Sequence, residues 1–576
     1  MSVAFMTWTI NFIGEKMNYK MKLMIFLLLM VYNEHSFSET VVKNFSGKRL
    51  QDRPLQVDYS QSKTIKMGKF SVTLTNLNSY INKWFLLAIQ GKDYEYNLHL
   101  ENRINSNKIE LTHKGLKFTS KKNLAQFSEC SLWSKKGTFF AKLDFENHTH
   151  TFYQLCDGLV YIRLVKPSNT LLSLTEVTTS FLRKTAIGEG IINFFKPTLV
   201  GLEAESDPGI KQLAKPSHTR EKELPLPVQM RNLGSYNMIS KENQLGIELE
   251  SKTPINFGHW NETKMHPGVY VSMFKPDLID KKIFEQHKSL VYEIKPKELD
   301  KLVYIIAYDL DKYSINYAVG TKHPAINQNH KIMGAQADYN KYLVPIGSIP
   351  PYEIQDAIGV FIGGFKNKHG RFKHGPLKGR TYGYIQNGVE LEPMSPGLAT
   401  VYLDLEGHVE IAKWPENREE QIKLRKRVVA ARQNGAMLIE DKIPGSHVKS
   451  WRNGNWSGSA NGLGQSLRSG ICMQQREDRR YLLFMAFYSA TPSTMARTMQ
   501  AYSCTQGMHL DMNAHMYLHN ALYTVDEADG FKVEYLNQEM LYPKGSKKHR
   551  FIMDNNPRDF FYIKRRPKDV SLIVTN

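Results

Sequence analysis

Near the end of the sequence, His509, Asp511, Asn513 and His515 alternate, so an extended backbone through them would project two imidazoles, a carboxylate and an amide from one face. Such a set can hold a divalent ion, since neutral imidazole and carboxylate are common ligands, or it can form an acid–base cluster. Ligands spaced by two along one strand seldom converge on a single ion, so we read a polar strand face and assign no metal. Asp511 ends an apolar run, where a buried strand gives way to a turn, and α/β enzymes present reactive groups at such places. We therefore take Asp511 as the candidate catalytic carboxylate, with His515 as a catalytic partner and Asn513 as a substrate-binding amide. An aspartate that merely caps a turn would look the same in the sequence.

Positive charge for an anionic substrate is available at two other places. The segment 366–380 is rich in glycine and basic residues, so its backbone N–H groups can approach an anion while Arg371, Lys373 and Arg380 supply charge. Arg468 opens an apolar strand and is suited to bidentate contact with phosphate. A solvated loop and a salt-bridging arginine are the plain alternatives. Nothing matches a P-loop, a dinucleotide fingerprint, a His-Glu-x-x-His helix or a Gly-x-Ser-x-Gly elbow, and no cofactor is expected.

The pattern from Arg468 to His515 reads strand, helix, strand. Ser493 is the expected cap of a helix over 494–503, with Met495, Met499 and Tyr502 facing inward. Residues 416–432 predict a second, basic helix with Ile422, Leu424, Val428, Val429 and Ala431 on its apolar positions, stopped by Asn434 and Gly435. Short alternating runs between about residues 63 and 165, such as Phe70 to Thr75 and Leu159 to Leu164, predict a small antiparallel β domain. Helical spacing recurs over 169–195, and Pro208, Pro216, Pro225 and Pro227 mark a linker over 206–228. The tail, 542–566, alternates basic residues with Phe551, Phe560, Phe561 and Tyr562, which fits a docking strand or a contact with an anionic surface; we read a solvated terminus.

The order of these segments resembles the phosphodiester glycosidase family over about residues 236–530. Gly363, Gly364 and Phe365 match that family's Ile-Asn-Gly-Gly-Phe-Phe segment, with Ile362 where asparagine is usual. Arg468 matches the arginine before its third strand, and Leu510-Asp511 matches the start of its Leu-Asp-Gly-Gly-Gly-Ser turn, which here continues Met512-Asn513-Ala514-His515. The resemblance implies a C-terminal mixed α/β phosphodiester-glycosidase-like domain, and with the small antiparallel β domain read before it the chain is expected to be α+β. With the β-rich runs and the proline-marked linker, this gives domains at 39–167 and 236–576, joined by a helical segment and linker over 168–235. The resemblance also implies hydrolysis of a sugar-phosphate diester, with Asp511 and Arg468 catalytic and Gly363, Gly364, Phe365 and the basic loop binding substrate. Loss of the glycines after Asp511 points to the alternative, a catalytically degenerate protein that binds anionic glycan.

The bulk composition fits these readings. The 576 residues are 41% hydrophobic and carry a formal charge of +20, or +19 without residues 1–38. So basic a chain suggests anionic partners: a phosphorylated or anionic glycan, or peripheral contact with an anionic envelope surface. Nucleic acid is not expected, because no zinc-finger, helix-turn-helix or aromatic RNA-binding motif is present. Lys20 and Lys22 precede an apolar run from Leu23 to Tyr32, and Ser36-Phe37-Ser38 offers a cleavage site, so residues 1–38 read as a signal peptide of a secreted or periplasmic protein. An uncleaved anchor is the alternative, and translation from Met17 or Met21 would suit either. In an oxidising compartment four cysteines allow three pairings; Cys130 with Cys156 and Cys472 with Cys504 keeps each bond within one domain.

Overall fold

The computed structural model describes residues 59–566 apart from 94, 105–106, 121–126, 134–151, 165–209, 214–223, 234–235, 242–243, 252–253, 325–338, 340, 367–380, 450–463, 527–529, 542–548 and 553–554. The expected signal segment, the helix over 169–195 and nearly all of the basic loop lie outside the described residues. Within the stretch read as a linker, Ile210–Leu213 is a strand that pairs with Tyr236–Ile239.

The N-terminal strands form a six-stranded antiparallel sheet and a three-stranded one, joined by the Cys130–Cys156 disulfide. The strand Trp84–Gln90 shows how the larger sheet is seated, because its side chains alternate between two cores. Phe85, Leu87 and Ile89 pack with Val72, Leu100 and Phe118 inside the N-terminal part, whereas Trp84 and Leu86 join the main core of the body. That is why this strand is apolar at almost every position rather than at every second one. Polar contacts complete the seam: Asn78 Nδ2 donates to the Gly388 carbonyl at 2.8 Å, and the Val344 N–H donates to His99 Nδ1 at 3.0 Å.

The body is built from an eight-stranded sheet and two five-stranded sheets, and every strand pairing among the described residues is antiparallel. The eight-stranded sheet has Val303–Asp309, Arg479–Ala490, Ser466–Arg476 and Gln506–Met512 at its centre, in that spatial order. One five-stranded sheet centres on Phe560–Arg565 and Ala357–Ile362, the other on Val428–Gln433. Phe361 stacks between Phe484 of the eight-stranded sheet and Phe561, with ring centroids 5.4 and 5.0 Å away, so the first two sheets share one core.

This architecture overturns the expected α+β class: the C-terminal part is mostly antiparallel β with few helices, not a mixed α/β domain. The physical reason is legible in two segments. The helix expected over 416–432 stops at Arg425, and Val428–Gln433 continues as a strand, because its β-branched and small residues fill the middle of a sheet better than a helix face. The tail read as a solvated terminus takes its alternative, a docking strand: Phe560–Arg565 runs between Tyr313–Ala318 and Ala357–Ile362 with Phe560 and Phe561 fully buried.

The strand, helix, strand pattern after Arg468 does form. Ser466–Arg476 turns back into Arg479–Ala490, the helix Pro492–Ala501 crosses over, and Gln506–Met512 returns on the other side of Ser466–Arg476. The cap is Thr491 rather than Ser493: Thr491 Oγ1 accepts from the Thr494 N–H at 3.3 Å, while Ser493 Oγ accepts from the Tyr292 N–H. Met495, Met499 and Tyr502 are buried as expected, and Cys472–Cys504 ties the helix exit to the sheet. The helix lies close because Gly470 and Gly507 leave room; a Cβ on Gly470 would sit 2.8 Å from Met499 Cε and 2.9 Å from the Met508 carbonyl. Gly470→Val should therefore overpack this contact and cost about 1–3 kcal/mol, and Met499→Ala should open a void costing about 2–5 kcal/mol, both read as lower urea midpoints.

Candidate active site

Asp511 is the penultimate residue of Gln506–Met512 and is 6% exposed. Its backbone is fixed by Ser469, whose hydroxyl donates to the Asp511 carbonyl at 2.9 Å. Its carboxylate accepts the Met512 N–H on Oδ1 at 2.9 Å and forms an ion pair through Oδ2 with Arg558. Burial pushes the Asp511 carboxyl above its ordinary range, and Arg558 opposes that without cancelling it.

The alternation through His515 ends at Met512. Asn513 takes a left-handed backbone with φ of 83°, its N–H donates to the Leu467 carbonyl, and Ser466 Oγ donates to Asn513 Oδ1 at 2.9 Å. His515 lies in a short turn, with Nδ1 3.1 Å from Glu539 Oε2 and 3.3 Å from the Tyr488 hydroxyl. His509 is fully buried, and burial beside Arg468 holds its imidazole well below the usual range, so it is neutral. His509 and Asp511 thus keep the strand spacing while Asn513 and His515 leave it, and the four do not share one face.

Arg468 is also fully buried. Nε donates to the Ala490 carbonyl at 2.7 Å, Nη2 to the Gly464 carbonyl at 3.2 Å, and Nη1 meets His509 Nε2 at 3.3 Å and Met512 Sδ at 3.4 Å. Burial lowers its guanidinium to about 10, and no carboxylate lies within ion-pair distance among the described residues. No hydrogen bond joins it to Asp511 among those residues.

Two further arginines hold the strand end Gly363-Gly364-Phe365, one of which also reaches Asp511. Arg558 Nη2 donates to the Gly364 carbonyl at 2.8 Å as well as to Asp511, and Arg432 Nη2 donates to the Phe365 carbonyl at 2.7 Å. Arg432 Nε is paired with Asp559 at 2.8 Å, both side chains fully buried, and Tyr317 donates to the same carboxylate oxygen at 3.0 Å. Asn434 accepts the Phe365 N–H and donates to the His509 and Leu510 carbonyls, lacing the segment to the Asp511 strand. A Cβ on Gly363 would overlap the Asp559 carboxylate, and one on Gly364 would lie 2.5 Å from Asn434 Oδ1. These glycines therefore make room for internal polar groups.

Asp511, Gly364 and Phe365 thus come together, while His515 and Asn513 point elsewhere. Arg371, Lys373 and Arg380 lie outside the described residues; Lys366, at the loop's start, is buried and among the charges felt by Asp511. Sequence reasoning missed Arg558, Asp559, Arg432 and Asn434. The available signal was Arg558-Asp559 standing directly before an aromatic strand, and Arg432 and Asn434 directly after the apolar run 428–431.

No protein-family model matches the sequence, and no curated protein matches it. Among solved structures, it is similar to the catalytic domain of zebrafish N-acetylglucosamine-1-phosphodiester alpha-N-acetylglucosaminidase, auto-inhibited by its pro-peptide. That match has a TM-score of 0.30 and 11% identity and covers 61% of this chain and 100% of that one. A putative exported protein of Burkholderia pseudomallei matches with a TM-score of 0.22 and 9% identity over 46% of this chain and 74% of that one. At those TM-scores neither likeness establishes a shared fold or a shared reaction.

The raised carboxyl of Asp511 has a thermodynamic consequence. A group that binds its proton more tightly when folded loses stabilising effect as pH rises from its unfolded value, about 3.9, through the native one. The stability of the wild type minus that of Asp511→Asn should therefore fall as pH is raised from 4 to 7. Urea unfolding of both proteins at several pH values checks this; a difference that rises would mean that Arg558 outweighs burial.

Proposed function

We propose that the chain is a secreted or periplasmic hydrolase that acts on a sugar-phosphate diester in an anionic glycan, with Asp511 and Arg558 as its reactive pair. The observation that supports this is a buried carboxylate at a strand end whose only ion-pair partner among the described residues, Arg558, also reaches the backbone of the glycine strand end. Cleavage at the anomeric carbon breaks the sugar C–O bond, and its electron pair leaves with a phosphomonoester that needs little acid assistance. Such a reaction asks for a carboxylate on the sugar side and a cation on the phosphate side. Asp511 serves the first role, as nucleophile or as the base that activates water. Arg558 serves the second: a phosphate oxygen that takes over its Nη2 releases Asp511 Oδ2 toward the sugar. The 366–380 loop adds positive charge, while Arg468, whose donors are engaged within the fold, acts only through its buried charge.

A second reading, an anionic-glycan-binding protein without turnover, is favoured by one feature. Both oxygens of Asp511 are already engaged, and Met512 stands where a glycine would let a ligand approach.

Alkyl diesters of glucose 1-phosphate separate the readings. Release of free sugar and phosphomonoester by wild type, with a loss of about 10²–10³-fold or more in kcat/KM for Asp511→Asn, supports the hydrolase. Equal rates for wild type and Asp511→Asn sink the assignment of Asp511. Binding of the diester with no release of sugar selects the second reading.

A further inference from the structure

Away from Asp511, where the N-terminal sheet meets the body, the fold encloses a polar cavity of about 250 Å³. Lys83 and Glu101 contribute to it from the N-terminal sheet, and Asn316, Tyr352, Glu353 and Lys564 from the body. The hydrogen-bonding ledger of its wall is lopsided.

The acceptors are already used. Glu101 Oε2 accepts from Arg163 Nε at 2.7 Å and lies 2.6 Å from Nη2, while its Oε1 accepts from Tyr352 at 2.7 Å. Glu353 Oε1 is paired with Lys564 at 2.8 Å, and Oε2 accepts from Tyr562 at 2.5 Å. The side-chain carbonyl of Gln386 accepts the Val319 N–H at 3.1 Å.

The donors are not. Asn316 Nδ2 is buried with no hydrogen-bond partner among the described residues. Lys83 is half-buried; its ammonium stands 5.3 Å from the Tyr352 ring centre and donates to the Arg103 carbonyl at 3.3 Å, with no carboxylate in ion-pair distance among the described residues. Each of the two carboxylates in the wall already has its own cation, so the charge of Lys83 is left over. Burial pulls the Lys83 ammonium below the usual lysine range, which an anion beside it would reverse.

An unfilled amide donor and a cation with no carboxylate of its own, in a wall whose two carboxylates are each already paired with another cation, select a ligand that brings acceptors and negative charge. We propose that this cavity binds a small oxyanion, a carboxylate or phosphate on a molecule no larger than about one sugar ring, held by Lys83 and Asn316. Its size is just under the lower end of small-ligand pockets, about 300–1,000 Å³, which excludes a polymer threaded through it. A neutral sugar brings no charge to offset that of Lys83, whereas an oxyanion does. The site is independent of Asp511 and of the reaction proposed there.

Calorimetric titration of the full chain with inorganic phosphate, glucuronate and glucose tests the proposal. Phosphate or glucuronate should bind and glucose should not, and whichever anion binds more tightly identifies its source. Lys83→Gln and Asn316→Asp should each weaken that binding about tenfold or more, the factor that corresponds to ~1.4 kcal/mol, while Lys83→Arg retains most of it. The same heat should survive in Asp511→Asn, which separates this cavity from any phosphate bound at the candidate active site. Unaltered thermal melting of the variants shows that they are folded. No anion binding, binding of glucose as tight as that of glucuronate, or anion binding unchanged in both Lys83→Gln and Asn316→Asp overturns it.

Discussion

Two buried ion pairs, Arg558 with Asp511 and Arg432 with Asp559, join three sheets in this protein. Arg558 and Asp559 are neighbours just before the strand Phe560–Arg565, and their side chains reach two different partners. Arg558 meets Asp511 at the end of the eight-stranded sheet, and Asp559 meets Arg432 in the second five-stranded sheet. Removing one member of such a pair costs far more than the pair contributes, because it strands the other charge away from water. The glycines at 363 and 364 follow from the same constraint, since side chains there would overlap the Asp559 carboxylate and crowd Asn434.

The same packing shapes what the candidate site can do. Asp511 is positioned by the Ser469 hydroxyl on its carbonyl and is poised electrostatically by two opposing effects, burial and Arg558. Arg468 takes another route, spending its donors on backbone carbonyls, His509 and Met512. One arginine is therefore coupled to the carboxylate and the other helps close the strand end. The cavity by Lys83 shows the opposite balance, with its carboxylates satisfied and its donors in surplus.

Several parts of this arrangement were legible in the sequence because they depend on local pattern. Asp511 ends an apolar run, Met495, Met499 and Tyr502 share a helix face, and both disulfides join the cysteines that the sequence pairs most simply. The class of the C-terminal part was not legible. Apolar residues at 422, 424, 428, 429 and 431 satisfy a helical period, yet the last three are placed in a strand by the sheet around them. The ion pairs were hidden for a related reason: Asp511 and Arg558 are 47 residues apart, Arg432 and Asp559 are 127 apart, and only the folded sheets bring them together. A basic, aromatic tail looks solvated until its phenylalanines are seen between two strands.

The central claim is that paired buried charges hold the three sheets in register around Asp511. A double-mutant cycle on Arg432 and Asp559, with Arg432→Met, Asp559→Leu and the double variant compared by urea unfolding at pH 7, tests it most directly. Each single change should cost about 3–5 kcal/mol and the double change well below their sum, because it leaves no lone charge behind. Costs that simply add would contradict it.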